Sequence, residues 1–420
     1  MKLPNIVKVK QHFTGPSVSN IEKKIAAEFS KRTIDMKIRP GMEIAITAGS
    51  RGIANIARII RATVMEVKKR GAMPFIVPAM GSHGGAKAEG QIEVLKSLGV
   101  TESYCDAPIR ATMDVVKLAE TTAGVPVYMD KIAFHSDGVI LINRIKAHTD
   151  FSSKVESGLM KMASIGLGNH KQALAIHERG VIGLREHMPY VAAEIFKSGK
   201  VLMGIGLVEN AFEETAEIEA IPVEKIAERE SQLLVLSKKL FPRLPIDRLD
   251  ILFIDKMGKN YSGSGMDTNV IGRVRIDGEQ EPALPSYQQI IVSDLSEESH
   301  GNSTGIGLAD LTTTRLFNKI DLQKMNENVI TSRFLKRASI PMVLPSDRDA
   351  IETAIKCGWD VQPEKVRFMR IPNTLHLEEL YVSEALVPEL ERMATIEIIG
   401  TPSPMEFNEF GYFQELNESK

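Results

Sequence analysis

Short apolar runs alternate with amphipathic helical patterns along this chain, and this alternation is the feature that most constrains its fold. Apolar residues recur at helical spacing from Ile53 until Gly71 interrupts the pattern. The apolar runs have the length of buried strands and lie at 41–50, 74–80, 138–145 and 201–208. Strands that alternate with helices are joined by right-handed crossovers and form a mostly parallel sheet. The sequence therefore predicts an α/β fold.

A segment with two prolines at 241–249 separates this first half from a second set of strand patterns. The second set lies at 249–258, 289–296, 341–347 and 365–371. A chain of 420 residues is long enough for two domains. We predict two α/β domains with mostly parallel sheets. Residues 1–245 would carry the cofactor and the catalytic histidines, and residues 246–420 would close an active-site cleft between the domains.

The charge of the chain is nearly balanced, with 52 Lys and Arg against 54 Asp and Glu. This balance excludes a protein that binds nucleic acid through bulk positive charge, but it is compatible with a local anion site. The 2 cysteines are too few for a disulfide framework, and no apolar stretch reaches the roughly 18 residues of a membrane span. We expect a cytoplasmic protein that binds neither nucleic acid nor membrane. The sequence leaves a homo-oligomer open.

Polar and basic residues follow three of the predicted strands. Ligands of open α/β sheets bind outside the carboxyl ends of the strands, so these residues are expected to converge. The residues that follow a strand are Ser50 and Arg51, then Gly81, Ser82 and His83, and finally Arg144, Lys146 and His148. Their convergence predicts a site for an anionic small molecule.

The loop that contains Ser50 and Arg51 has two interpretations. Its small residues between a strand and a helix could hold a phosphate with backbone N–H groups, with Arg51 adding a bidentate contact. It could equally be a tight turn with a solvated arginine. In the next loop, glycines on both sides leave His83 projecting, which favours an acid–base role over a histidine satisfied by local hydrogen bonds.

The densest group of chemically active residues lies between 143 and 177. Lys161 stands among apolar residues, so it either extends its amine to solvent or is buried for a functional reason. His170 and His177 are seven residues apart, which would place both on one face of a helix. A basic, solvated helix face is the alternative interpretation.

These residues and their spacing resemble the nickel-dependent lactate racemase family of 2-hydroxyacid racemases and epimerases. The resemblance rests on the strand-end arginine, a Gly-Ser-His turn at 81–83, His148, a Ser-Gly-x-x-Lys stretch at 157–161 and a later histidine. It implies a nickel-pincer nucleotide, which is a pyridinium mononucleotide with two thioacid arms. Lys161 would hold it covalently, and His177 would bind the nickel, because the interval of sixteen residues from Lys161 matches the family. His170 is the alternative ligand.

The resemblance also implies roles for the other residues. His83 and His148 would be the two catalytic bases, because racemisation needs a proton carrier on each face of the substrate. The remaining residues are expected to contact the cofactor (Ser50, Arg51, Gly81 and Ser82) or the substrate (Arg144, Lys146, Arg273 and Arg275). Arg275 stands where the family has a lysine, and the tyrosine and glutamine of that motif are absent. These differences predict a hydroxyacid or sugar acid other than lactate as the substrate.

The sequence thus predicts a racemase or epimerase that acts by proton-coupled hydride transfer. Two other functions remain open on the same scaffold. One is an isomerase in which His83, His148 and His177 hold zinc or another divalent metal without the pincer nucleotide. The other is a non-catalytic protein that binds a nucleotide or a carboxylate.

Overall fold

The chain forms two compact units. The computed structural model describes residue 1 and residues 3–50, 52–359 and 361–414. One unit is Thr14–Phe241, and the other combines Met1–Phe13 with the chain from Pro242 onward. The domains expected from the sequence were divided once, at 245/246. In the structure the first thirteen residues instead cluster with the C-terminal part, because their strand pairs there.

Fifteen β-strands are present in the described residues. In chain order, β1 to β15 are Asn5–Gln11, Glu43–Ala48, Met73–Pro78, Val115–Glu120, Pro126–Asp130, Gly138–Arg144, Val201–Glu209, Thr215–Pro222, Arg248–Met257, Ser286–Leu295, Leu311–Thr313, Met342–Leu344, Phe368–Ile371, Glu379–Ser383 and Ile396–Pro404. The strands that the sequence predicted correspond to β2, β3, β6, β7, β9, β10, β12 and β13.

Sixteen α-helices connect or flank these strands within the described residues. In chain order, α1 to α16 are Ile21–Phe29, Arg32–Asp35, Ile56–Lys69, Ala88–Ser97, Glu102–Cys105, Lys131–His135, Leu159–Lys161, Asn169–His177, Gly180–Ile182, Met188–Lys197, Ile226–Leu240, Thr268–Ile271, Thr314–Phe317, Leu322–Ser332, Asp347–Cys357 and Val387–Leu390. Two π-helical stretches, Met162–Gly166 and Gly183–His187, follow α7 and α9 directly. None of the helices in the described part of the chain has the length and apolar character that a membrane crossing requires.

The unit at 14–241 is built on a five-stranded sheet with the order β3-β2-β6-β7-β8. The first four strands are parallel, and β8 runs antiparallel to β7. β2 and β6 are buried over most of their length because helices cover both faces of such a sheet, which explains their nearly continuous apolar sequences. The carboxyl ends of β2, β3, β6 and β7 therefore lie at one edge.

The other unit contains an eight-stranded mixed sheet with the order β12-β11-β10-β9-β13-β14-β1-β15. Its half from β12 to β13 is parallel, whereas β14, β1 and β15 are joined by antiparallel pairs. Ile6 of β1 lies opposite Ser383 of β14. The predicted α/β class is confirmed in both units.

Candidate functional site

The loops that follow β2 and β3 lie side by side at the carboxyl edge of the first sheet. The backbone N–H of Ala79 donates to the carbonyl of Ala48 at 2.8 Å, which joins the two strand ends. Ser50 and Ser82 are half-buried, and His83 is exposed. The prediction for Arg51 falls on a residue outside those that the structure describes.

The segment from α7 to α8 packs on these two loops. A Cβ atom on Gly49 would lie 3.2 Å from the methyl carbon of Met162, and one on Gly81 would lie 3.2 Å from Ile165 Cγ2. Gly81 also has a φ of +63°, which a side chain rarely adopts. The predicted glycine turn is therefore required both by its backbone conformation and by the close approach of this segment, which carries Lys161.

Lys161 and His148 are in direct contact. The Nζ atom of Lys161 lies 2.8 Å from Nε2 of His148, although thirteen residues separate them in sequence. On the other side of the ring, His148 Nδ1 accepts the backbone N–H of Asp150 at 3.1 Å. The Asp150 carboxylate is 3.6 Å from the same nitrogen, which is too long for a hydrogen bond. We call these two residues the His148–Lys161 pair.

The hydrogen bonds of the His148–Lys161 pair define where its protons can be. Because Nδ1 accepts a hydrogen bond, a neutral His148 carries its proton on Nε2 and directs it at the lysine nitrogen. Two cations at this separation would repel each other strongly, so this arrangement favours an uncharged amine or an uncharged imidazole. An uncharged lysine amine is a nucleophile, and an imidazole beside it can carry its proton.

Glu156 organises the loop that carries His148. Its side chain is 1% exposed. One carboxylate oxygen accepts the backbone N–H of His148 at 2.7 Å, and the other accepts that of Ser153 at 3.0 Å. Phe151, in the same loop, packs on the His148 ring with their centroids 4.5 Å apart. The loop is therefore folded around a buried carboxylate, which no local sequence pattern indicates.

Glu230 of α11 is a second buried carboxyl group next to the site. It is 0% exposed, and its Oε2 accepts the backbone N–H of Met160 at 2.9 Å. Burial raises the pKa of Glu230 to about 7. The other oxygen approaches Gly158 so closely that a Cβ atom there would lie 2.4 Å away. The glycine of the Ser-Gly-x-x-Lys stretch thus makes room for the carboxyl group that binds the start of α7.

Replacement of Gly158 by alanine tests this packing. We expect Gly158→Ala to lower the free energy of unfolding by about 1–3 kcal/mol, since the new methyl group overlaps a buried side chain. Chemical denaturation measures the change. Gly52→Ala is the control, because a Cβ atom there would meet nothing within 4 Å. Equal stability of the two variants would show that Glu230 moves aside without cost.

Helix α8 carries both candidate metal ligands, as the sequence predicted. His170 and His177 are half-buried. The Nδ1 atom of His170 is buried and has no hydrogen-bond partner within the described part of the chain. The helix begins at Asn169, whose amide donates to Asp130 at 2.9 Å and to the carbonyl of Thr112 at 3.1 Å. These contacts attach the start of α8 to the end of β5.

Asp130 gives this attachment a pH dependence. Burial raises the pKa of Asp130 from 3.8 to about 6. Between these values the folded protein binds the proton more tightly than the unfolded chain, so stability decreases as pH rises. A shift of two units corresponds to about 3 kcal/mol. Denaturation at pH 4 and pH 6.5 should show a smaller loss of stability in Asp130→Asn than in the unmodified protein, and parallel losses would contradict this assignment.

The basic residues predicted to bind substrate already have partners within the protein. Arg144 forms an ion pair with Glu209, which also accepts the backbone N–H of Ala54 at 2.8 Å. The backbone N–H of Lys146 donates to the carbonyl of Ser157 at 2.9 Å. Arg144 therefore connects the ends of β6 and β7, and Lys146 stands at the entrance to the loop that carries His148.

Arg273 and Arg275 lie in the other unit and share one partner. Arg273 donates to Asp310 at 2.6 Å and to the carbonyl of Leu308 at 3.0 Å. Arg275 donates to the second oxygen of Asp310 at 2.7 Å and to the carbonyl of Gly307 at 2.8 Å. In this conformation both arginines therefore hold the segment around Asp310.

The described residues offer no ready-made metal site built from protein ligands alone. Among the described residues, no three His, Cys, Asp or Glu side chains are grouped so that they could hold a metal ion. This includes the set of His83, His148 and His177 that a divalent-metal isomerase would use. A metal centre here would need further ligands from a bound group or from a rearrangement of the loops.

Two kinds of similarity to known proteins are found. A family model described as the lactate racemase N-terminal domain matches residues 6–188. The lactate racemase apoprotein from Thermoanaerobacterium thermosaccharolyticum has a similar structure, with a TM-score of 0.55 and 11% sequence identity over 88% of this chain and 98% of that chain. A protein from Thermotoga maritima reaches a TM-score of 0.47 with 16% identity over 65% of this chain and 70% of its own. No curated protein matches.

The matched region contains His83, His148, Lys161, His170 and His177. At such low identity, the structural similarity establishes the fold and not the reaction. The resemblance inferred from the sequence is nevertheless confirmed by the match of the family model. Residues 6–188 of this chain therefore match the lactate racemase N-terminal domain.

Proposed function

We propose that this protein is a racemase or epimerase of a 2-hydroxyacid or sugar acid and that it works with a nickel-pincer nucleotide attached to Lys161. The observation that carries the proposal is the 2.8 Å contact between Lys161 Nζ and His148 Nε2. The contact supports the proposal because Lys161, the proposed nucleophile, lies next to His148, the proposed acid–base group, within the matched region. Attachment of such a cofactor requires a nucleophile, and turnover of a hydroxyacid requires an acid–base group.

The residues present fit this cofactor. A nickel-pincer nucleotide brings one carbon and two sulfur ligands with it, so the protein needs to add only one nitrogen. Helix α8 offers His177 for this role, with His170 as the alternative. The cofactor also needs no cluster of three protein ligands, and the described residues contain none. A divalent-metal isomerase would need such a cluster, which makes it the weaker proposal.

The bound cofactor would supply a hydride acceptor, and the protein residues would manage the protons. His148 would take the hydroxyl proton of one substrate enantiomer and return it on the reverse path. His83, on the loop after β3, would serve the other face. The phosphate of the cofactor nucleotide would be bound by Arg51 and by the backbone of the loops at Ser50 and at 81–82. Lys146 would attract the substrate carboxylate. Arg144, Arg273 and Arg275 are also proposed as substrate contacts, a role in which each would exchange its present carboxylate partner for the substrate carboxylate.

The proposal is tested on protein produced together with the enzymes that build the cofactor. We expect about one nickel per chain and a covalent mass increase that peptide mapping assigns to Lys161. A panel of 2-hydroxyacids and aldonates is then screened for loss of optical rotation. Protein that carries neither nickel nor added mass under these conditions would refute the cofactor assignment. Loaded protein that changes no member of the panel would favour a binding role.

A further inference from the structure

We propose that helix α11 positions the His148–Lys161 pair through two of its side chains, Lys238 and Glu230. The helix spans Ile226–Leu240, beyond the region that matches the family model at 6–188. This positioning role depends only on contacts within the protein. Its importance for catalysis rests on the function proposed above.

Lys238 acts on the histidine side of the pair. Its ammonium group donates to Glu156 Oε1 at 2.6 Å and lies 3.4 Å from the hydroxyl group of Ser152. Glu156 in turn accepts the backbone N–H of His148 at 2.7 Å. A carboxylate that is 1% exposed is costly to bury unless a cation balances it. Lys238 thus allows Glu156 to stay at the centre of the loop that presents His148.

Glu230 acts on the lysine side of the pair. It accepts the backbone N–H of Met160, the residue before Lys161, and it lies against Gly158. The carboxyl group therefore binds the first turn of α7, where backbone N–H groups have no partner within the helix. Burial raises the pKa of Glu230 to about 7. Either protonation state leaves one oxygen able to accept the N–H of Met160.

The geometry of α11 allows both contacts at once. Glu230 and Lys238 are eight residues apart, about two helical turns, so they lie near the same face. The same helix packs against α7 and β7. One rigid element thus sets the position of the loop that carries His148 and of the helix start that carries Lys161. A shift of α11 would change the distance between Lys161 Nζ and His148 Nε2. The hydrogen bond that these two atoms share depends on that distance.

The experiment uses the full-length protein without cofactor, so that it does not depend on turnover. The rate at which an amine-reactive acylating reagent labels Lys161 at pH 7 is measured by peptide mass spectrometry, and His148 is followed by NMR titration. Separation from His148 should leave Lys161 protonated. We expect Lys238→Met to slow the labelling of Lys161 by about tenfold, the effect of one pKa unit, and to shift the titration of His148. Lys238→Arg should restore both measurements.

Matched variants separate positioning from general effects on the helix. Lys239→Met removes the same charge from the next position in the helix, which is exposed. In this variant Lys161 should be labelled at the same rate as in the unmodified protein. Glu230→Leu should slow labelling, whereas Glu228→Leu, on the exposed side, should not. Glu230→Gln keeps an acceptor for the backbone N–H of Met160 and is therefore expected to keep the labelling rate. If Glu230→Leu does not fold, Lys238→Met decides the outcome.

The outcomes also distinguish this inference from the proposed function. Unchanged labelling of Lys161 and unchanged titration of His148 in folded Lys238→Met would overturn the positioning role, whether or not the loaded protein is a racemase. The expected shifts, together with an absence of any hydroxyacid turnover, would retain the positioning role and reject the proposed reaction.

Discussion

Lys161→Ala should lose both the covalent cofactor and all racemase or epimerase activity. The amine that would form the attachment, which lies 2.8 Å from His148 Nε2, is absent in this variant. Intact-mass analysis of protein made alongside the cofactor-building enzymes would show the mass of the bare chain. The fold should persist, because Lys161 is only half-buried and its neighbours Met160 and Met162 hold the segment in the core.

Lys161→Arg is the matched variant for this result. Arginine keeps the positive charge and much of the length, but its guanidinium group remains protonated and is not a nucleophile. We therefore expect the same loss of mass and activity as in Lys161→Ala. If Lys161→Arg were loaded and active, the lysine would be a charge partner of the cofactor and not its attachment point.

His148→Ala should keep the added mass and lose most of the turnover. Removal of a general acid–base group costs about 10²–10⁴-fold in rate. We expect kcat/KM to fall by the same factor in both directions, because the equilibrium constant fixes the ratio of the two values. Chiral chromatography with each enantiomer as the starting material measures both. The combination of a retained adduct with lost activity distinguishes this variant from Lys161→Ala.

His135→Ala is the control for His148→Ala. His135 ends the short helix α6 and stacks edge-on against Phe134 at a centroid distance of 5.4 Å. It lies outside the loops at the sheet edge, so we expect its loss to change kcat/KM by less than about twofold. A large effect at His135 and none at His148 would place the acid–base chemistry elsewhere.

The parallel sheet and the set of strand-end loops could be predicted from the sequence because both follow from local patterns. Buried parallel strands have continuous apolar sequences, and loops after such strands converge at one edge. Lys161 stands out in the sequence because a lysine among apolar residues is unusual. Its contact with His148 was not predicted, since it depends on how the loop between them folds around Glu156.

The supporting carboxyl groups could not be assigned without the tertiary structure. Glu230 occupies a position on the buried face of α11, between Ile226 and Leu233, and this interruption of an apolar face is the one local signal of its burial. Glu156 has no comparable signal in its own segment. The ion pair of Arg144 with Glu209 joins strands that are far apart in sequence. From the sequence alone, Arg144 therefore appears available to bind a ligand.

The pairing of β1 with β14 and β15 determines the order in which the molecule can be completed during synthesis. Residues 14–241 form one continuous stretch that contains every strand of its own sheet, so this unit can fold as soon as it leaves the ribosome. The eight-stranded sheet holds the first strand of the chain beside its last, Ile396–Pro404. The residues of β1 must therefore wait, unpaired, until β14 and β15 have been synthesised before they reach their final partners.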